Sequence, residues 1–224
     1  MEQDNLGQHI EVPFNFRHIC WFCGEPANQH FTFPHKQHTV VDCPHPTIMI
    51  PACQECHKFA AKCQDDTIWL VRNSVKKRLI SHYQKHLAIG LNWTKKELEN
   101  SQFEDGNFEG FKKSAWFMFE VAQARVNFLG WKLVLNGLYI EEVNIKERFV
   151  FDGVVYPSID EAIDYYSNHY SLPSGYLRLV VASIGSDLFS KAVRFSRLMV
   201  GSTPAERQQE LRQLLINLHH QKEA

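Results

Sequence analysis

Four of the six cysteines in this chain fall into two pairs with the C-x-x-C spacing of metal-binding knuckles. The first pair is Cys20 and Cys23, and the second is Cys53 and Cys56. Each pair can hold one edge of a tetrahedral zinc ion, and two pairs complete a closed shell of four thiolates. Gly24 follows the first pair, where a knuckle needs a residue that tolerates unusual backbone angles. The spacing therefore predicts a structural zinc site; the alternative is two unrelated pairs of buried cysteines.

The composition is typical of a globular protein. Of the 224 residues, 44% are apolar and 12% aromatic. The formal net charge is −1 and the pI is near 6.9, which excludes a protein that coats nucleic acid over its whole surface. Residues 1–8 lack the apolar core of a secretory signal, and no apolar stretch has the length of a membrane span. We therefore expect a cytoplasmic protein whose cysteines bind metal instead of forming disulfides.

The hydrophobic pattern predicts an α+β chain with a loop-rich beginning and a mostly helical end. Residues 10–64 hold little apolar core, so a bound metal would have to stabilise them. Apolar residues at helical spacing and helix-capping or turn residues predict the elements that follow. These are helices over 68–90 and 108–129, a short helix capped by Thr94, hairpins at Asn136-Gly137 and Asp152-Gly153, helices capped by Ser158 and Thr203, and helices over 176–184 and 187–200. The domain boundary is expected between about 130 and 148, giving domains 1–130 and 131–224.

Residues 17–64 resemble the HNH nuclease family. In that family a first C-x-x-C, a strand histidine and a Pro-x-Cys-x-x-Cys that opens a helix follow one another. Here Cys20–Gly24, Gln29–His30 and Pro51–His57 stand in this order. The resemblance implies an N-terminal zinc-braced ββα-metal (HNH-like) domain, and a mostly helical domain with one or two β-hairpins would follow it.

The resemblance also implies a mechanism, the metal-assisted hydrolysis of phosphodiester bonds. His30 would activate a water molecule as the general base. His57 would bind a second divalent ion, such as Mg²⁺ or Mn²⁺, that neutralises the scissile phosphate. Two positions depart from the family, because Gln29 stands where Asp or His binds this ion and Ala61 stands where a second helix ligand often lies. A neutral amide oxygen binds a divalent ion far more weakly than a carboxylate does.

Further metal-binding side chains lie between the two knuckles: His35, His38, Asp42, Cys43 and His45. Asp42 or His45 could complete the second ion site. Alternatively, His30, Cys43 and His45 could compete with the cysteines for the zinc. His35 and His38 are interpreted as ordinary loop histidines.

Residues 149–184 resemble the modular helix-turn-helix elements found beside such nucleases, with Tyr156–Ala162 as the best-matching part. The resemblance implies that the helix over 176–184 enters the major groove of DNA. The alternative is a capped helical hairpin with a solvated basic face. The candidate contacts to nucleic acid are basic side chains on three predicted helices: Lys76, Lys77, Arg78, Arg178, Lys191 and Arg194.

Together these features predict a zinc-containing DNA-binding protein of HNH type. Metal-dependent endonuclease activity is possible but would be weakened by Gln29 and Ala61 at the second ion site. The alternative is a non-catalytic nucleic-acid-binding, regulatory or protein-interaction module derived from such a nuclease.

Overall fold

The computed structural model describes residues 7–35, 40, 43, 45–101, 106–142, 147–173 and 175–223. These residues form an α+β structure with two compact units, one ending at Pro157 and one beginning at Ser158. This division lies later than the boundary expected after residue 130, because the second predicted hairpin belongs to the first unit. Its backbone is held there by Asn127, whose side chain accepts from the Val155 N–H at 2.9 Å. None of the helices in the described ranges is long and apolar enough to cross a membrane.

Three short strands and one helix form the frame at the beginning of the first unit. They are β1 (Gln8–His9), β2 (Gln29–Phe33), β3 (Ile48–Ala52) and α1 (Gln54–Ala60). Strand β3 is central, parallel to β1 and antiparallel to β2. Alternate residues on one face of the sheet are buried, among them Phe31 and Ile50, since side chains along a strand point to opposite faces in turn. Helix α1 packs against β2.

Four helices complete the body of the first unit. They are α2 (Ile68–His82), α3 (Gln84–Asn92), α4 (Lys95–Asn100) and α5 (Gly106–Asn127). The single helix predicted over 68–90 is interrupted at Tyr83, whose backbone leaves the helical region at φ −93° and ψ 12°. The capping box predicted at Thr94 is present, because the Glu97 N–H donates to the Thr94 hydroxyl and the Glu97 carboxylate accepts from the Thr94 N–H.

Both predicted hairpins are present at the end of the first unit. Strands β4 (Val134–Leu135) and β5 (Leu138–Tyr139) form one, and β6 (Phe149–Phe151) and β7 (Val154–Tyr156) form the other. Their two-residue turns have positive φ at both central residues, namely 51° and 76° in the first turn and 49° and 71° in the second. This is the type I′ geometry for which Asn-Gly and Asp-Gly are the preferred sequences.

The second unit is helical over its described residues. It consists of α6 (Ile159–His169), α7 (Tyr176–Ile184), α8 (Phe189–Leu198) and α9 (Pro204–Glu223). Thr203 caps α9 through the predicted box with Glu206. The box predicted at Ser158 is not formed, because the Ser158 side chain makes no capping hydrogen bond. The helix predicted over 187–200 is shorter, since residues 186–188 form a 3-10 turn.

Candidate metal centre

Two local structures bring the four cysteine sulfurs together. In the first knuckle the Gly24 N–H donates to the Cys20 carbonyl at 2.9 Å. The chain then turns back at Gly24, whose φ is 78°, so that the Glu25 carbonyl accepts from the Cys20 N–H at 2.7 Å. The Trp21 N–H donates to the Pro51 carbonyl at 2.9 Å and ties this knuckle to β3. In the second knuckle Cys53 is the N-cap of α1, and its sulfur accepts from the Cys56 N–H at 3.4 Å. Backbone hydrogen bonds therefore fix both cysteine pairs.

The geometry of the four sulfurs fits a tetrahedral metal ion. All four lie within 4.8 Å of one another, and the Sγ atoms of Cys23 and Cys53 are 3.7 Å apart. Four sulfurs at about 2.3 Å from a central zinc would lie about 3.8 Å from each other. The four cysteines are free thiols with exposed fractions between 0% and 9%. A site so buried, with four protein ligands, is closed in the way that structural metal sites are.

The protonation of the cluster shows how closely its members interact. Hydrogen bonds within the cluster raise the pKa values of Cys20 and Cys56. They lower the pKa of Cys53 and bring that of Cys23 down to about 7. Four thiols in so small a space thus cannot all ionise unless a cation shares the space with them. A divalent metal ion supplies that charge and displaces the remaining protons.

Two buried basic side chains lie near the sulfur cluster. Arg125 is 8% exposed, and its Nη2 lies 3.6 Å from the Cys23 sulfur. Lys76 is 7% exposed and donates through Nζ to the Arg125 carbonyl at 2.8 Å. Burial and the neighbouring Arg72 together lower the pKa of Lys76 to about 7, with the cluster thiolates opposing part of this change. Because a divalent ion with four thiolates carries a net charge of about −2, these cations match its charge.

Arg125 also belongs to a network that links α5 to α1. Its guanidinium donates to the carboxylate of Glu55, which lies between the two cysteines of the second knuckle, and to the Tyr83 hydroxyl. The Tyr83 hydroxyl in turn donates to Glu55 at 3.1 Å, and His82 Nε2 lies 3.2 Å from the same carboxylate. The interruption between α2 and α3 at Tyr83 places this hydroxyl in the network. The ion pair between Arg125 and Glu55 therefore orients the guanidinium that faces the sulfur cluster.

His30 and His57 do not share one face of the sheet. The ring of His57 lies 6.0 Å from that of Phe31, on the buried face that α1 covers. His30 neighbours Phe31 on β2 and so points to the opposite face, where its ring lies 4.9 Å from that of His9. Burial and the charge of His9 lower the pKa of His30. The structure therefore does not bring the two predicted catalytic residues together around an ion.

The described residues of the loop between the knuckles add no ligand to the cysteine cluster. Among the described residues, the group of three or more His, Cys, Asp or Glu side chains that could hold a metal is the four cysteines alone. The Cys43 sulfur instead lies 3.9 Å from the ring nitrogens of His45. His38 and Asp42 lie outside the described residues.

The predicted basic face of α2 divides into a buried and an exposed part. Lys76 is not on a solvated face, because its ammonium group reaches inward to Arg125. Lys77 is exposed, and Arg78 is half-buried. These last two line a surface pocket of about 470 Å³ together with Lys62. Ser74, Ser81, Gln64, Cys63 and Asp65 complete the lining.

In the second unit one of the three predicted contacts to nucleic acid, Arg178, is engaged within the unit. Arg178 forms ion pairs with Asp160 and Asp164 on α6. The Tyr176 hydroxyl donates to the Arg207 carbonyl at 3.0 Å. On α8, Lys191 is half-buried and Arg194 is exposed. The helix that should read base edges thus uses its polar side chains to hold the helices together.

Sequence reasoning missed the residues that surround the sulfur cluster. Arg125 lies 102 positions from the cysteine that it contacts, so no spacing rule connects the two. Glu55 occupies a variable position of the C-x-x-C motif. The signal that was available is the helical pattern itself, because Lys76 falls beside the apolar stripe of α2 formed by residues such as Val75 and Leu79.

The chain matches no protein-family model, no curated protein and no solved structure.

Proposed function

We propose that this chain is a zinc-stabilised nucleic-acid-binding protein of HNH type in which no catalytic pair is assembled. The observation that carries the proposal is the buried cluster of Cys20, Cys23, Cys53 and Cys56, with its 3.7 Å sulfur separation. Zinc is the metal that we expect in this site, because four thiolates in tetrahedral geometry are its usual structural ligands. The metal would add to the stability of a frame that buries more apolar side chains than the sequence predicted, among them Trp21, Phe33 and Ile50.

The buried cations support a site filled by a divalent metal. If the thiols were uncharged, the carboxylate of Glu55 would be the main counter-charge of Arg125, and Lys76 would lie buried next to the positive charge of Arg72. Removing charged groups from water costs several kcal/mol unless an opposite charge compensates. With zinc bound, the net charge of the tetrathiolate supplies that compensation at 3.6 Å from the guanidinium.

A nuclease is less well supported than a binding protein. Gln29 and Ala61 remove two expected ion ligands, and His30 and His57 face opposite sides of the sheet. Metal-assisted hydrolysis needs the general base and the ion close to the same phosphate. We therefore infer a frame of nuclease type that serves binding.

The surface that we assign to nucleic acid is the pocket lined by Lys62, Lys77 and Arg78. Three cations outnumber the single carboxylate of Asp65 there, and the hydroxyls of Ser74 and Ser81 add hydrogen-bonding groups. Cationic and hydroxyl side chains are the usual partners of backbone phosphates. A local patch of this kind agrees with a net charge of −1, since only part of the surface needs to be positive. DNA is the partner that we expect.

The test measures binding to duplex DNA, single-stranded DNA and RNA by fluorescence anisotropy over a range of salt concentrations. The double variant Lys77→Ala/Arg78→Ala should weaken binding to all sequences alike and reduce the salt slope by roughly two, one unit for each lost phosphate contact. The matched control Lys58→Ala/Lys96→Ala removes two exposed charges outside the pocket and should keep the wild-type slope.

Three outcomes would contradict parts of the proposal. Equal slopes in both double variants would remove the pocket from the interface. An absence of binding to all three probes at low salt would exclude nucleic acid and favour a protein-interaction module. Cleavage of plasmid with Mg²⁺ or Mn²⁺ that is lost in His30→Ala would show that the protein is a nuclease after all.

A further inference from the structure

Two histidines from different strands lie on the face of the three-stranded sheet opposite to the one that α1 covers. His9 lies on β1 and His30 on β2, and the central strand β3 separates them. In the register of the sheet, His9 pairs with Met49 and His30 pairs with Pro51, two residues further along β3. Both histidines therefore project on the face opposite to buried Ile48 and Ile50.

The two imidazoles lean toward one another across β3. Strands next to each other are about 4.8 Å apart and each residue advances about 3.3 Å along a strand, so the backbones of His9 and His30 are roughly 12 Å apart. The ring centres of His9 and His30 are nevertheless 4.9 Å apart, at an interplanar angle of 87°. Both side chains are exposed, so either could extend into solvent, but their rings meet above the middle strand β3. This convergence is the feature that needs an explanation.

The separation of the rings fits two ligands of one metal ion. Imidazoles that share a tetrahedral ion, each with a nitrogen about 2.1 Å from it, have ring centres about 5 Å apart. An imidazole binds a metal ion through a nitrogen of its neutral form. The register places the hydroxyl of Thr32 and the thioether of Met49 on the same face. Imidazole donors favour zinc, copper and nickel over Mg²⁺ or Mn²⁺.

We propose that His9 and His30 form a second metal site, separate from the cysteine cluster, for a divalent transition ion of the class that binds imidazole. Two protein ligands leave the remaining coordination positions to water or to an external ligand, so the site is open where the cysteine site is closed. The proposal assigns to His30 a role as a metal ligand on the far side of the sheet. It does not depend on nucleic-acid binding.

The experiment titrates the zinc-loaded full chain with Ni²⁺ and follows the heat of binding. Zinc release is monitored with a chromophoric chelator, so that exchange at the cysteines is distinguished from binding elsewhere. The wild-type chain should bind one Ni²⁺ per molecule without losing zinc. His9→Ala and His30→Ala should each weaken this binding at least about tenfold, since even indirect support of a ligand is worth that much.

The matched control is His18→Asn, which removes an exposed histidine outside the pair. Its φ of 64° is one that asparagine tolerates well, so the fold should be kept. Nickel affinity should be unchanged in this variant. The proposal is overturned if the wild-type chain binds no nickel beyond zinc exchange, or if both pair variants bind it like the wild type. Circular dichroism of the pair variants should match the wild type, because both side chains are exposed.

Discussion

Replacing Arg125 by methionine tests whether buried positive charge holds the metal. The guanidinium lies 3.6 Å from the Cys23 sulfur, and two unit charges at that distance attract by roughly 4–5 kcal/mol at an effective dielectric constant of about 20. The charge is spread over the guanidinium on one side and over the metal and four sulfurs on the other, so the effect will be smaller. A hydrogen bond to a charged group contributes about 1.5–3 kcal/mol. We therefore expect Arg125→Met to lower zinc affinity about 10- to 100-fold.

The assay is competition for zinc against a chromophoric chelator, with thermal unfolding measured in parallel. Glu55→Gln is the matched control, because it breaks the ion pair with Arg125 while leaving the guanidinium in the chain. It should lower stability but change zinc affinity much less than Arg125→Met does. Wild-type zinc affinity in Arg125→Met would refute the argument that the cations compensate a charged metal cluster.

The remaining predictions concern packing and the independence of the two units. Gly90→Ala should destabilise the protein by about 2 kcal/mol, because the new Cβ would lie 2.2 Å from the ring of Phe119. The cost of this overpacking exceeds the gain of about 1 kcal/mol that alanine brings in helix propensity. Gly110→Ala, an exposed helical position with nothing within 4 Å, should instead stabilise by up to about 1 kcal/mol; chemical denaturation of both variants checks the opposite signs. Removing zinc with a strong chelator should lower the unfolding temperature of the unit that ends at Pro157 and leave that of the unit that begins at Ser158 unchanged, which calorimetry of the full chain would reveal. A uniform shift of both transitions would contradict this.

The elements that the sequence predicts well are those with local signals. The hairpin turns at Asn136-Gly137 and Asp152-Gly153 follow from residues that accept positive φ, and the caps at Thr94 and Thr203 follow from side chains three residues apart. The two cysteine pairs are equally local, since each C-x-x-C sets its own geometry. The joining of the pairs into one cluster is a long-range event that spacing suggested and the structure bears out.

The parts that could not be predicted depend on contacts between distant residues. Helical periodicity alone placed Lys76 on a polar face, whereas packing of α5 makes it an internal donor to Arg125. The pairing of β1 with β3 brings His9 beside His30, although β1 is only two residues long and has no pattern of its own. The interruption at Tyr83 has no helix-breaking residue to signal it in the sequence.

Metal analysis combined with X-ray absorption at the zinc edge tests the central claim most directly. Protein purified without added metal should contain one zinc per chain, with four sulfur neighbours at about 2.3 Å. The single variants Cys20→Ser and Cys56→Ser should lose the metal or the fold of the first unit, because metal binding and folding are coupled. Less than stoichiometric metal, or a shell in which nitrogen or oxygen replaces one or more sulfurs, would contradict a closed site made by Cys20, Cys23, Cys53 and Cys56.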